Sequence, residues 1–124
     1  MIRIDKNTKN LLNLITRKLD AGKAESISVL DIRKVSTLAD YMVIATGTST
    51  RHVLSLAHHL AQDLKKEKYP LWTDPDQGDG SWVALDLGSV LVHLFTNESR
   101  LKYDLDGLWG VKPKHTRKAP RKNA

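Results

Sequence analysis

The chain has 124 residues and no cysteine, which suits one domain with its own core and excludes disulfides, thiolate metal sites and a cysteine nucleophile. Six of the 20 basic residues (Lys112, Lys114, Arg117, Lys118, Arg121 and Lys122) and none of the 14 acids fall in 112–124, so residues 1–111 balance at 14 against 14 and the net charge of +6 belongs to the tail. The N-terminus shows no apolar signal segment and no run reaches membrane-spanning length, so no membrane partner is expected and the cytosol is the expected address.

Residues 5–20 read as a packing helix, with Leu11, Leu12, Leu14, Ile15 and Leu19 toward one side and Gly22 as its stop. Ser26 to Ile32 alternates in part and reads as a first strand; Arg33 to Asp40 is a polar connection. Tyr41 to Ala45 is an unbroken run of β-formers and apolar residues, the pattern of a strand buried on both faces. Gly47 breaks the run, and Thr48, Ser49 and Thr50 offer three successive helix caps. Val53, Leu56, Ala57, Leu60 and Leu64 then recur at helical spacing, and the helix must end before Pro70. This strand, corner and helix make one unit of an α/β domain. His52, His58 and His59 lie on that helix, but His58 and His59 are adjacent and point apart. A solvated histidine face is the reading, with no metal.

Thr73-Asp74-Pro75-Asp76-Gln77-Gly78-Asp79-Gly80 is turn-rich. Its glycine falls one place early for a calcium loop, and Leu85 stands where the bidentate Glu belongs, so a surface loop is expected. Trp82–Leu87 and Val90–Phe95 then flank Gly88-Ser89, a glycine-first two-residue hairpin turn. That turn sets Leu87 against Val90, Leu85 against Val92 and Val83 against Leu94 on one aliphatic face. On the other it sets Asp86 against Leu91, Ala84 against His93 and Trp82 against Phe95. The second face is not ordinary core; it is either covered by the C-terminal segment or exposed as an interaction surface. Asn97 to Tyr103 reads as a short helix after Thr96, followed by Tyr103-Asp104-Leu105-Asp106-Gly107-Leu108-Trp109-Gly110. Residues 112–124 have too little to bury and read as a basic, disordered tail beyond a 1–111 domain.

Catalytic chemistry finds little support. A strand followed by Gly-Thr-Ser-Thr is similar to nucleotidyltransferase corners, yet no Asp-x-Asp pair sits beside Gly47 for two-metal work. The glycines match neither a phosphate-cradling loop nor a dinucleotide fingerprint. Ser49, His93 and Asp86 do not form a triad pattern, because Ser49 is not in a nucleophile elbow.

Several separated motifs, in one order, resemble the ribosomal silencing factors, the Iojap-like family. They are Val29-Leu30-Asp31-Ile32, Ala39 through Val53, Trp82-Val83-Ala84-Leu85-Asp86-Leu87-Gly88, Val92-His93-Leu94-Phe95, Glu98-Ser99-Arg100 and Tyr103-Asp104-Leu105-Asp106-Gly107-Leu108-Trp109. The likeness runs from about residue 8 to 110 and leaves the basic tail outside. It implies an α/β fold with a mixed sheet flanked by helices, of nucleotidyltransferase-like topology without that catalysis and without a cofactor. It implies a cytosolic translational repressor that binds the large ribosomal subunit at its protein L-fourteen, blocks joining of the small subunit when nutrients are scarce, and is a homodimer when free. It favours the second answer for the hairpin: Trp82, Ala84, Asp86, His93, Tyr103, Leu105 and Trp109 form the partner-facing surface. Two positions depart from the family pattern. The usual Gly-x-Glu-Gly before the tryptophan is replaced by Trp72-Thr73-Asp74-Pro75-Asp76-Gln77-Gly78, and the common Gly-Asp turn by Gly88-Ser89. A degenerate nucleotidyltransferase-like enzyme and an RNA-binding module driven by the tail, through nonspecific ribosomal RNA contacts, are the alternatives.

Overall fold

The computed structural model describes residues 6–35, 37, 39–69, 71, 73, 80–103 and 113–116. In chain order these form α1 (Lys6–Ala21), β1 (Glu25–Asp31), β2 (Tyr41–Gly47), α2 (Thr50–Lys66), β3 (Trp82–Asp86), β4 (Val90–Thr96), α3 (Asn97–Tyr103) and β5 (Pro113–Thr116). The strands make one mixed sheet in the order β3-β4-β2-β1-β5. Only β2 and β4 run parallel; the β1–β2, β1–β5 and β3–β4 pairs are antiparallel. The mixed α/β class read from the sequence is the observed one. β2 lies at the centre with all seven residues buried, as its unbroken apolar run requires.

The register sorts side chains onto two faces. Val29, Tyr41, Val43, Ala45, Val83, Leu85, Val90, Val92 and Leu94 form the larger core with the apolar stripes of α1 and α2. Leu30, Met42, Ile44 and Phe95 form a smaller core on the opposite face, joined by Ile32 and Ala39, with Trp82 and Leu91 packed against it. The hairpin pairs as its turn predicts: Trp82 with Phe95, Val83 with Leu94, Ala84 with His93, Leu85 with Val92 and Asp86 with Leu91. Gly88 takes a φ of +86°, which the tight turn needs, and Asp86 Oδ1 accepts its N–H at 2.9 Å.

Both long helices end in Schellman motifs. At α1 the N–H of Ala24 bonds to the carbonyl of Leu19, and that of Lys23 to Asp20; at α2 the pairs are Tyr69 to Leu64 and Lys68 to Lys65. The left-handed residue is a lysine each time, Lys23 at φ +68° and Lys68 at +65°. Gly22 therefore does not stop α1 by its conformational freedom. It is small because a Cβ there would approach Leu56 Cδ2 to 2.7 Å. Gly47 answers a similar demand, since its Cβ would meet Val53 Cγ2 at 2.7 Å and Val53 N at 3.0 Å, where β2 turns into α2.

One expectation changes and another gains detail. Pro113–Thr116 adds to the sheet beside β1, pairing Ser28 with Thr116, Val29 with His115 and Leu30 with Pro113, so at these four positions the chain is a strand rather than a disordered tail. The strand forms because β1 would otherwise present an unpaired edge. His52, on the solvated histidine face, is half-buried and has fixed partners as well. Its Nδ1 accepts the N–H of Thr48 at 2.9 Å and its Nε2 lies 2.8 Å from the carbonyl of Gly22. With Nδ1 accepting, Nε2 is left to donate to Gly22, and the ring ties the β2–α2 corner to the turn after α1.

Candidate partner-docking face

The outward half of the second sheet face is built from β3 and β4. Alternation puts Trp82, Ala84 and Asp86 of β3 on the same side as Leu91, His93 and Phe95 of β4. Phe95 is fully buried and forms the floor with Met42 and Ile44. Trp82, Asp86, Leu91 and His93 are half-buried and Ala84 is exposed. The face is therefore core toward β2 and open toward the β3 edge, which divides between the two readings of the hairpin.

Its aromatic groups are mutually oriented. The Trp82 indole N–H donates to His93 Nδ1 at 3.0 Å. Ring centroids lie 5.8 Å apart for Trp82–His93, 5.1 Å for Trp82–Phe95 and 6.2 Å for His93–Phe95. Burial pushes the His93 imidazole down from 6.5 to about 4. His93 is thus neutral at pH 7, accepts through Nδ1 and presents Nε2–H as a donor. The arrangement offers apolar area, a fixed aromatic plane and one directed N–H, the chemistry of a protein-docking patch. Asp86 adds a half-buried carboxylate whose Oδ1 is already engaged by the hairpin turn.

Of the other residues expected here, Tyr103 ends α3. Leu105 and Trp109 lie outside the described residues. Thr73 and Arg100 have no role in the sequence reading, and Ser49 takes the cap role expected of its stretch. Thr73 accepts from Asp86 N at 3.0 Å and donates to Ala84 O at 3.2 Å along the free side of β3. Ser49 caps α2 through His52 N at 3.1 Å. Arg100 reaches from α3 to Thr46 Oγ1 and Ser28 Oγ, both at 3.0 Å, and to the carbonyl of Ser26. The only prior signal for Arg100 is its place in the Glu98-Ser99-Arg100 motif.

The residues weighed for catalysis do not converge. Asp31 is bound by Arg33 through Nε at 2.8 Å, NH2 and the backbone N–H. Asp86 lies three strands away in the sheet order, roughly 14 Å by interstrand spacing. Ser49 serves as the α2 cap and His93 bonds Trp82, so with Asp86 they make no triad. His58 and His59 bond along α2 to Gln62 and Ser55. Among the described residues no group of three His, Cys, Asp or Glu could hold a metal, and no helix is long and apolar enough to cross a membrane.

The family described as "Ribosomal silencing factor during starvation" matches residues 5–124. The match continues through the basic tail, which the motif-by-motif likeness had left out. A protein of Zymomonas mobilis named "Ribosomal silencing factor RsfS" is 38% identical over 100 residues, spanning 81% of this chain and 75% of that one. A protein of the same name from Halalkalibacterium halodurans is 32% identical over 107 residues, spanning 86% and 92%. "Mitochondrial assembly of ribosomal large subunit protein 1" of Mus musculus is 30% identical over 104 residues, 82% of this chain and 46% of that protein. A crystal structure of a Chromobacterium violaceum protein superposes with a TM-score of 0.79 at 29% identity, covering 94% of each chain. On the family match over residues 5–124 and these relatives, the chain belongs to the ribosomal silencing factor family.

Proposed function

We propose that this protein silences translation by docking on the large ribosomal subunit, at its protein L-fourteen, and occupying space that the small subunit needs in order to join. The observation that carries the reading is the Trp82–His93 pair: half-buried, hydrogen-bonded to each other and seated on buried Phe95 at an open sheet edge. Such pre-oriented aromatics lose little entropy on binding and commonly supply an interface's largest contributions. Family membership gives the patch a ribosomal context. Tyr103, Leu105 and Trp109 complete the docking surface in this reading, with Ala84 leaving room and Asp86 at its rim. The protein acts in the cytosol, is a homodimer when free, and needs no nucleotide. In this reading it acts without catalysis, which the local engagement of Asp31 and Asp86, three strands apart, supports.

The test is pelleting with purified large subunits. Trp82→Ala, His93→Ala and Tyr103→Ala should each lower affinity by about 2 kcal/mol, some thirtyfold, while unfolding stays cooperative. Full-strength binding by all three removes this face from the mechanism. In light scattering of mixed subunits, the wild-type protein should inhibit joining in proportion to occupancy, and excess small subunit should reverse it. Saturated large subunits that still join at the control level would refute steric exclusion. Nucleotide turnover lost in Asp31→Asn or Asp86→Asn would instead favour the enzyme alternative.

A further inference from the structure

The charge balance over residues 1–111 is not uniform across the fold. The layer made by α1, α2 and the turns that end them, residues 9–23 and 51–68, carries eight basic residues against three acids; residues 24–49 and 80–103 carry four against five. The two helices lie side by side and antiparallel. Gly22 meets His52 near the start of α2, and Lys18, one turn back along α1, meets Asp63 near the end of α2 at 3.8 Å. The other basic side chains of the layer are exposed. Lys9, Arg17 and Lys23 belong to α1 and its turn, and Arg51, Lys65, Lys66 and Lys68 to α2 and its turn. Among them α1 turns Asn10 and Asn13 outward, and α2 turns Ser55, His59 and Gln62. The exposed large apolar side chains among the described residues, Val35 and Leu101, lie outside this layer.

Helix energetics does not account for these positions. Lys65 and Lys66 in the last turn of α2 suit its dipole, but Arg51 is in the first turn, which holds no acid. The first turn of α1, which includes Lys9, holds none either, and a cation at a helix start opposes the dipole. Cations interleaved with amides and hydroxyls, with no apolar anchor, suit phosphate oxygens rather than a protein hot spot or a lipid surface. Arg51 and Lys65 stand about 21 Å apart along the helix, so a single phosphate can meet only one end and an extended backbone meets both. A ribosomal family makes RNA the polyanion at hand. We infer that the α1–α2 layer is a second interaction surface, which takes the phosphate backbone of RNA without reading its sequence. It lies across the sheet from Trp82 and His93, so it goes beyond the docking reading and does not depend on it.

The test follows fluorescence anisotropy of an RNA duplex of about 20 base pairs against salt, in the full chain carrying Arg117→Gln, Lys118→Gln, Arg121→Gln and Lys122→Gln so that the tail does not dominate. This protein should bind two duplexes of unrelated sequence alike. Adding Arg51→Gln with Lys66→Gln should lower the log–log salt slope by about 2, and the affinity at about 0.1 M salt by about fiftyfold. Lys34→Gln with Lys102→Gln removes equal charge from other elements and should cost less than about threefold. Arg51→Gln alone should unfold at no lower a urea concentration than its parent, because it relieves a helix start. Trp82→Ala should bind the duplex as its parent does. Equal losses in the two pairs would mean net charge rather than this layer. No binding by the tail-neutralised chain would leave the tail as the RNA contact. Displacement of the duplex by polyglutamate at equal charge would mean an acidic protein partner, and loss of duplex binding in Trp82→Ala would put RNA on the aromatic face. A lower urea midpoint in Arg51→Gln would mean that the cation serves the fold. Each of these overturns the inference, whereas failure of Trp82→Ala to weaken large-subunit binding bears on the docking face alone.

Discussion

Acidification should expose the cost of burying His93. The imidazole titrates at 6.5 in the unfolded chain and at about 4 in the folded one, because burial disfavours its charged form. Between these values the unfolded state holds a proton that the native state does not. This group's contribution is therefore fully present above about 6.5, falls as pH drops, and is exhausted below about 4. The gap corresponds to roughly 3 kcal/mol when fully expressed, of which about 2 kcal/mol should be lost by pH 4.5. Other groups also titrate in this range, so the measurement is a comparison with His93→Gln, which keeps an acceptor for the Trp82 indole but carries no titrating ring. Urea unfolding of both proteins at pH 7.5 and 4.5, at constant ionic strength, should show the wild type losing about 2 kcal/mol more than the variant. Equal losses, within about 0.5 kcal/mol, would mean that His93 is not held neutral by its surroundings, and the donor role assigned to Nε2–H would fail with it.

The Tyr41 hydroxyl is buried and has no hydrogen-bond partner among the described residues, so Tyr41→Phe should raise stability by about 1 kcal/mol in urea unfolding; a loss would reveal a partner. Lys68→Gly, at φ +65° after α2, should also gain about 1 kcal/mol, and no gain would show the left-handed lysine to be unstrained. Thr73→Val should speed exchange of the Asp86 amide and promote self-association in light scattering, because it uncovers the free edge of β3, whereas Thr73→Ser should match the wild type; a monodisperse valine variant with normal exchange would refute the edge role. Replacing Arg117, Lys118, Arg121 and Lys122 with Gln leaves β5 intact and should flatten the salt dependence of ribosome binding without moving its site; loss of binding at every salt concentration would promote the tail-driven reading.

Much of the site was legible because it is local. A two-residue turn links Leu87 to Val90, and with a side-chain period of two that alone placed Trp82, Ala84 and His93 on one face. It could not say how much of that face is covered. That depends on β2 lying parallel to β4, which puts Met42 and Ile44 beneath it, and two strands 43 positions apart in sequence leave no local mark of their pairing. Gly22 was misread for a related reason: a glycine after a helix signals a left-handed cap, but the left-handed residue is Lys23, and the glycine makes room for Leu56 of another helix.

By itself, then, the sequence determined what short-range sterics and periodicity can decide. It determined the helices and strands of the 6–103 stretch to within two or three residues, the Ser49-region cap, the hairpin register, and through its motifs the family. Only the tertiary structure decided which residues meet across the chain. His52 ties its helix to Gly22, Arg100 spans two strands, and a stretch as polar as Pro113–Thr116 is a strand. That last stretch lacks any apolar pattern of its own; its backbone is ordered by the unpaired edge of β1, and a hydrogen-bonding need carried by another segment cannot be read from the residues that satisfy it.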